Sequence, residues 1–194
     1  MATSTTERQE RRHADRQRSI LRAAAQEFAA DGYERATLER IGDRVGLSKG
    51  SLYYYVNSKE ELLGLLLEGV VDDILAQVPR DADPTVRLRR LIRVHVEAAV
   101  TPEGRVLVQN LDAIMGSEET ARIRQRYVAA ITDILTAGAA TGAFRDVPSR
   151  STVRFFLGAL NAASRRFEPT DDRELAELVD LVTSLVLDGV ARRP

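Results

Sequence analysis

With 194 residues, 44% hydrophobic and 29% charged, the chain has the composition of a globular protein that can form one large domain or two smaller ones. It holds no cysteine and only two histidines, which excludes disulfides, thiolate metal sites and cysteine nucleophiles and leaves little for a histidine metal cluster. A net charge of −1 argues against wholesale electrostatic binding to nucleic acid.

The distribution of charge is slightly uneven. Residues 1–60 carry eleven basic and nine acidic side chains and hold both lysines, Lys49 and Lys59; the abundance of arginine elsewhere reads as compositional bias. The longest leucine-rich stretch, LLGLLLEGVV, is interrupted by Glu68 and falls far short of the ~20 apolar residues of a membrane span. No N-terminal apolar segment resembles a signal peptide, so a cytoplasmic location without a membrane partner is expected.

Residues 1–14 are polar, lack apolar periodicity and read as a flexible N-terminal arm. Its arginines Arg8, Arg11 and Arg12, with Arg16 and Arg18 beyond, are diluted by Glu7, Glu10 and Asp15, so a minor-groove or phosphate role is the weaker reading. From Asp15 a helical period begins, with Ile20, Ala24 and Phe28 four apart and Gly32 as its C-terminal cap. Thr37 caps a second helix whose Leu38, Ile41 and Val45 share a face, and Gly46 breaks it. Ser48 caps a short third helix, expected through about Tyr55. Ser58 and Glu61 form a capping-box pair opening a helix that should run to about Val78, before Pro79.

Only helical signals follow. Pro84 and Pro102 suit first helical turns, Ser117 starts a long segment ending near Gly138–Gly142, Pro148 precedes RSTVRFFLGALNAASRRF, and Asp171 with Glu174 caps the last run. No useful stretch alternates with a period of two. The expected fold is all-α.

Residues 38–56 are two short helices joined by a tight turn at Gly46, the layout of a helix-turn-helix, in which the second helix lies in the major groove. Leu52 and Val56, four apart, face the core with Tyr55 beside them. Lys49 and Tyr53, and Gly50 and Tyr54, face the other way. That outward face offers a cation, a glycine permitting close approach and two phenols able to reach phosphates, sugars or thymine methyls.

At this level of detail residues 15–62 resemble the DNA-binding domain of the tetracycline-repressor (TetR) family of bacterial regulators. The matching positions are Phe28, Gly32, Tyr33, Thr37, Ile41, Gly46, Ser48, Leu52, Tyr53, Tyr55, Val56, Lys59 and Leu62. The resemblance implies a DNA-binding set of Thr37, Arg44, Ser48, Lys49, Gly50, Ser51, Tyr53, Tyr54, Tyr55 and Lys59. Lys49, Gly50 and Ser51 would lie at base edges. Tyr53, Tyr54, Tyr55 and Lys59 would lie along phosphates, with a structural role as the stronger reading for Tyr55. Two departures stand out. Gly42 replaces the family's usual alanine, which loosens its helix by up to ~1 kcal/mol. Glu39 and Asp43 would repel phosphate unless turned away or paired with Arg40 or Arg44.

The resemblance divides the chain into the arm 1–14, a helix-turn-helix domain 15–57, and an effector-binding and dimerisation domain 58–194. It places the effector between the central helices, with His95, Leu107, Gln109, Leu111, Met115, Asn161 and Arg165 as candidate ligand residues. His95 alternatively reads as a core histidine with its hydrogen bonds satisfied. LNAASRRFEP resembles a segment of family members that respond to acyl-CoA thioesters, through Arg165, Phe167 and Pro169; otherwise Arg165 and Arg166 simply suit the negative end of a helix dipole. The last two long helices would form a homodimer through Phe156, Gly158, Ala159, Ala162, Leu178, Val182 and Leu185, although a buried hairpin would explain the same pattern.

These features lead to a ligand-responsive repressor that binds palindromic double-stranded operator DNA as a homodimer. No cofactor is expected. A small-molecule effector, with an acyl-CoA thioester in the lead and an aromatic or cationic drug-like compound as the alternative, would release it. An enzyme lacks sequence support, since no phosphate-binding loop, zincin motif or nucleophile elbow is found. An adaptor that kept the helix-turn-helix for partner binding is the remaining competitor.

Overall fold

A computed structural model describes residues 3–147 and 149–190. Pro148, expected ahead of the ninth helix, lies outside the described residues. Ten helices run through them in chain order, and no β-strand occurs among the described residues. No helix there is long and apolar enough to cross a membrane. The chain divides into two compact units, Met1–Leu66 and Leu67–Pro194. The boundary therefore falls inside α4, where the sequence reading divides the chain at Asn57.

The first unit contains α1 (Thr3–Asp31), α2 (Leu38–Arg44), α3 (Lys49–Tyr53) and the start of α4 (Lys59–Ala76). Ile20, Ala24 and Phe28 of α1 are buried with Ile41, Leu52, Val56 and Leu62. Full burial of each large side chain contributes roughly 1.5–3 kcal/mol, enough in sum to set the arrangement of such short helices. Each helix ends where a special residue allows it. Gly32 takes φ +79° and Gly46 φ +65°, left-handed values that glycine adopts freely. Thr37 and Ser48 accept the N–H groups of Arg40 and Ser51 as N-caps. Gly42 has a packing reason: a Cβ there would lie 3.1 Å from the Leu47 carbonyl oxygen and 3.4 Å from Leu52 Cδ2. The lost helix propensity is exchanged for close approach of the two short helices.

Two boundaries differ from expectation. α1 begins at Thr3, so the arm is helical over residues 3–14; its Glu, Gln and Arg residues favour helix without needing a buried face. α3 ends at Tyr53, and Tyr54 and Tyr55 form a turn in which the Tyr55 and Val56 N–H groups both donate to the Leu52 carbonyl.

The second unit contains the remainder of α4, then α5 (Pro84–Ala99), α6 (Pro102–Gln109), α7 (Leu111–Gly116), α8 (Glu118–Ala140), α9 (Ser149–Arg165) and α10 (Asp172–Val190). α5 is central and packs against α6, α8, α9 and α10. Its Leu88, Leu91, Ile92 and Val96 are buried with Ile131, Ile134, Val153 and Leu160. Asp83 and Thr101 cap α5 and α6, each followed by proline at the first turn. Gly104 forms the sharp α5–α6 corner, where an added Cβ would sit 2.0 Å from the Ala98 carbonyl oxygen. The stretch GRVLVQNLDAIMGS forms two helices that meet at Asn110, whose side-chain amide donates to the Val106 carbonyl at 2.7 Å.

Candidate nucleic-acid interface and ligand cavity

In the first unit, α2 and α3 present Thr37, Lys49, Gly50, Ser51, Tyr53 and Tyr54 to solvent; Tyr54 is 76% exposed and Tyr53 42%. Gly50 has open space around it, so nothing there hinders a close approach. The Ser48 and Ser51 hydroxyls share a hydrogen bond of 2.9 Å. Tyr55 is half-buried and stacks on His13 at 5.0 Å between ring centroids.

The charges settle differently from the sequence expectation. Glu39 pairs with Lys49, Nζ to Oε1 at 2.6 Å, and with neither arginine of its own helix. Lys49 holds the Glu39 carboxyl below its usual range by hydrogen bond and charge, and Glu39 in turn raises Lys49. The arginines turn inward. Glu27 of α1 is fully buried, and its two oxygens take Arg40 Nε at 2.6 Å and Arg44 Nε at 2.7 Å; Arg40 also pairs with Asp31. Arg44, expected at DNA, is thus committed to fastening α2 to α1.

Lys59 is also committed. Its ammonium donates to the carbonyl oxygens of Tyr33 at 2.9 Å and Glu34 at 3.1 Å and lies 4.8 Å from the Tyr33 ring centroid. A cation in a first helical turn is locally unfavourable, and the loop carbonyls offset that.

The second unit contains a cavity of about 380 Å³. Val70, Val71 and Ile74 of α4 and Leu107, Leu111, Ile114 and Met115 of α6–α7 supply an apolar wall. A polar cluster interrupts it. His95 on α5 is buried with Nδ1 2.8 Å from the Tyr127 hydroxyl and Nε2 3.2 Å from Asn161 Oδ1. Asn161 Oδ1 can only accept, so Nε2 carries the proton and Tyr127 donates to Nδ1. Burial lowers the His95 pKa to about 4 and raises that of Tyr127. His95 is therefore both a satisfied core histidine and part of the cavity lining.

Arg124 and Arg154 also line the cavity, and among the described residues no carboxylate does. Arg124 donates to the Met115 and Ser117 carbonyls, while its buried Nε has no hydrogen-bond partner among the described residues. Of the expected ligand residues, His95, Leu107, Leu111, Met115 and Asn161 line the cavity, whereas Gln109 and Arg165 are exposed and do not. Helical geometry explains both misses. Gln109 follows the buried Val106–Leu107–Val108 on the outer side of α6, and Arg165 is one position beyond the buried Ser164.

Comparison with known proteins places this arrangement. Residues 20–66 match the family described as bacterial regulatory proteins, tetR family, and residues 81–190 match the tetracyclin repressor-like C-terminal domain. The chain belongs to the TetR family. It is 28% identical over 190 residues to the HTH-type transcriptional repressor KstR2 of Rhodococcus jostii, covering 91% of each chain. Among solved structures, it is similar to the ketosteroid transcriptional regulator KstR2 of Mycobacterium tuberculosis, with TM-score 0.72, 26% identity, and 92% of this chain and 96% of that chain covered. The TetR family transcriptional regulator PfmR from Thermus thermophilus superposes with TM-score 0.71 at 30% identity, over 89% of this chain and 99% of that chain. This TetR-family chain is a DNA-binding transcriptional regulator.

The residues expected at a dimer interface divide by helix face. Gly158, Ala159 and Ala162 on α9 and Leu185 on α10 are exposed, and Leu178 is half-buried. Phe156 and Val182 instead point into this chain's own core. Phe155, 71% exposed, and Leu181, 56% exposed, occupy the outward positions that they were expected to fill. One residue along a helix turns the side chain by about 100°, and the periodicity alone does not say which of two adjacent phenylalanines faces in.

Proposed function

We propose that this chain is a cytoplasmic repressor that binds a palindromic operator as a homodimer and releases it when the cavity takes up an anionic amphiphile. An acyl-CoA thioester is the leading candidate. Lys49, Gly50 and Ser51 meet base edges, Tyr53 and Tyr54 meet the backbone, and Thr37 approaches a phosphate from the start of α2. Lys49 must leave Glu39 to do so, which makes binding an exchange of one carboxylate for a phosphate. Reading two half-sites calls for two reading heads, and the exposed apolar residues of α9 and α10 suit burial against a second copy. The KstR2 relatives, named as repressors, support the sign of the regulation.

The observation that carries the effector is the charge of the lining. Among the described residues two arginines and no carboxylate line this largely apolar space, and one arginine nitrogen lacks a partner there. An acyl chain would lie among Leu107, Leu111 and Met115, with phosphates toward the exposed Arg154. A cationic drug would need Asp112 or Glu97, but neither lines the cavity, and Glu97 faces Arg93 at 3.6 Å.

Calorimetry of the purified protein against acyl-CoAs and the matching free acids, with retention of the operator duplex followed in parallel, tests this. The effector must bind and also lower operator affinity at saturation. Heat from neither series, with the operator still bound, refutes the acyl-CoA reading.

A further inference from the structure

We propose that residues 8–16 of α1 form a second DNA-binding element, a basic row that holds the sugar–phosphate backbone flanking the sequence read by α3. The inference rests on the DNA-binding reading above and adds a surface outside the helix-turn-helix.

The helix continues for more than three turns before Ile20, its first fully buried large side chain, and residues 7–16 are exposed. Apolar burial therefore does not account for this segment. Its side chains are ordered by face. Arg8, Arg12 and Arg16 follow one another at intervals of four, and Gln9 and His13 form the adjacent row. Arg8 and Arg12 have no carboxylate partner among the described residues. Asp15 pairs with Arg18, which leaves Glu7 and Glu10 as the acids of this segment without an ion pair among the described residues.

The rows are fixed relative to the reading head. His13 stacks on Tyr55 and meets the edge of Tyr54 at 6.0 Å, while Arg16 donates to the Val45 carbonyl at 3.3 Å in the turn after α2. Between them lies an open cleft of about 840 Å³, with Arg12 and Arg16 beside Glu10 and Asp15 on the α1 side and Tyr54 and Tyr55 on the other. Tyr54 belongs to both the cleft and the outward face of the α3 region. A strand whose phosphates pass Tyr53 and Tyr54 thus continues toward Arg12 and Arg16, of whose neighbouring acids Asp15 is already paired with Arg18. From Arg8 to Arg16 the helix rises about 12 Å, long enough for the row to reach more than one phosphate of a strand. Because it contacts backbone and not base edges, this element adds affinity without sequence preference.

The test uses the full chain and duplexes recovered with it by in vitro selection, prepared with and without flanking base pairs. Arg8→Ala/Arg12→Ala removes two unpartnered cations at exposed helical positions where alanine favours the helix, so the variant folds. On the flanked duplex its log–log salt slope should fall by roughly 1.8, from ~0.9 per phosphate contact, with equal loss when the core is scrambled. On the trimmed duplex it should match the wild type. His13→Ala should weaken flanked binding, and His13→Phe, which keeps a stacking ring, should restore it. An unchanged salt slope on the flanked duplex overturns the proposal while leaving the helix-turn-helix reading intact. A wild-type chain that selects no duplex overturns both.

Discussion

His95 makes the stability of the second unit pH-dependent in a direction that follows from its surroundings. It is buried between Tyr127 and Asn161, and burial lowers its pKa to about 4 from an ordinary value of 6.5. Between those values the unfolded chain takes up a proton that the folded chain refuses, so stability falls as pH falls. The contribution is fully present above pH 6.5 and is lost on acidification to about pH 4. At roughly 1.4 kcal/mol per pH unit, the interval corresponds to about 3 kcal/mol, a large share of a small domain's stability.

Urea unfolding of wild type and His95→Leu, at fixed protein concentration between about pH 7 and pH 4, isolates the effect from carboxylates common to both. His95→Leu starts less stable, because the Tyr127 hydroxyl and Asn161 lose their partner, but it lacks the histidine's slope. The gap between the proteins should therefore narrow by about 3 kcal/mol on acidification. A gap that stays constant across the range refutes the reasoning. The same neutral imidazole means that attraction of an anion into the cavity falls to Arg124 and Arg154.

Three further outcomes are expected. Glu27→Gln keeps the shape but removes the charge that holds Arg40 and Arg44, and should lower the stability of the first unit by about 1–3 kcal/mol; thermal unfolding within about 0.5 kcal/mol of wild type would show the clasp to be idle. Lys59→Met removes two charged hydrogen bonds to the loop carbonyls and should cost about 1–3 kcal/mol while leaving the salt dependence of DNA binding unchanged. The reverse pattern, unchanged stability with a flattened salt slope, would restore its phosphate role. Leu185→Arg and Ala162→Arg, at exposed positions, should sediment as folded monomers, whereas Phe156→Ala should destabilise the chain itself. A wild-type chain sedimenting as a monomer at micromolar concentration would dismiss the interface.

The helix-turn-helix was legible because its signals are local. Gly32, Thr37, Gly46 and Ser48 each set a boundary through their own backbone or side chain, and each acts where the sequence places it. The charge partners were not legible in the same way. Lys59 bonds carbonyls twenty-five and twenty-six residues away, and Glu27 is drawn inside by arginines of another helix. One clue was available for Glu27: it follows Ala23 by four and Ala24 by three, on the stripe that α1 buries. A carboxylate on such a stripe requires cations, and Arg40 and Arg44 are the pair that the next helix offers.

The ligand half shows why register matters more than motif. The lining of α9 is Arg154, Leu157, Gly158 and Asn161, and that of α8 is Arg124, Tyr127 and Val128, both with three- and four-residue steps. Extending the α9 stripe leads to the buried Ser164, and so excludes Arg165, which the short segment LNAASRRFEP had suggested. Once one member of each stripe is placed, the polar residues facing a ligand follow from the helical period alone. They are an arginine and an asparagine on α9 and an arginine and a tyrosine on α8. Ligand selectivity of the cavity should therefore respond to substitution at Arg154, Asn161, Arg124 and Tyr127, and substitution of Arg165 and Arg166 should leave it unchanged.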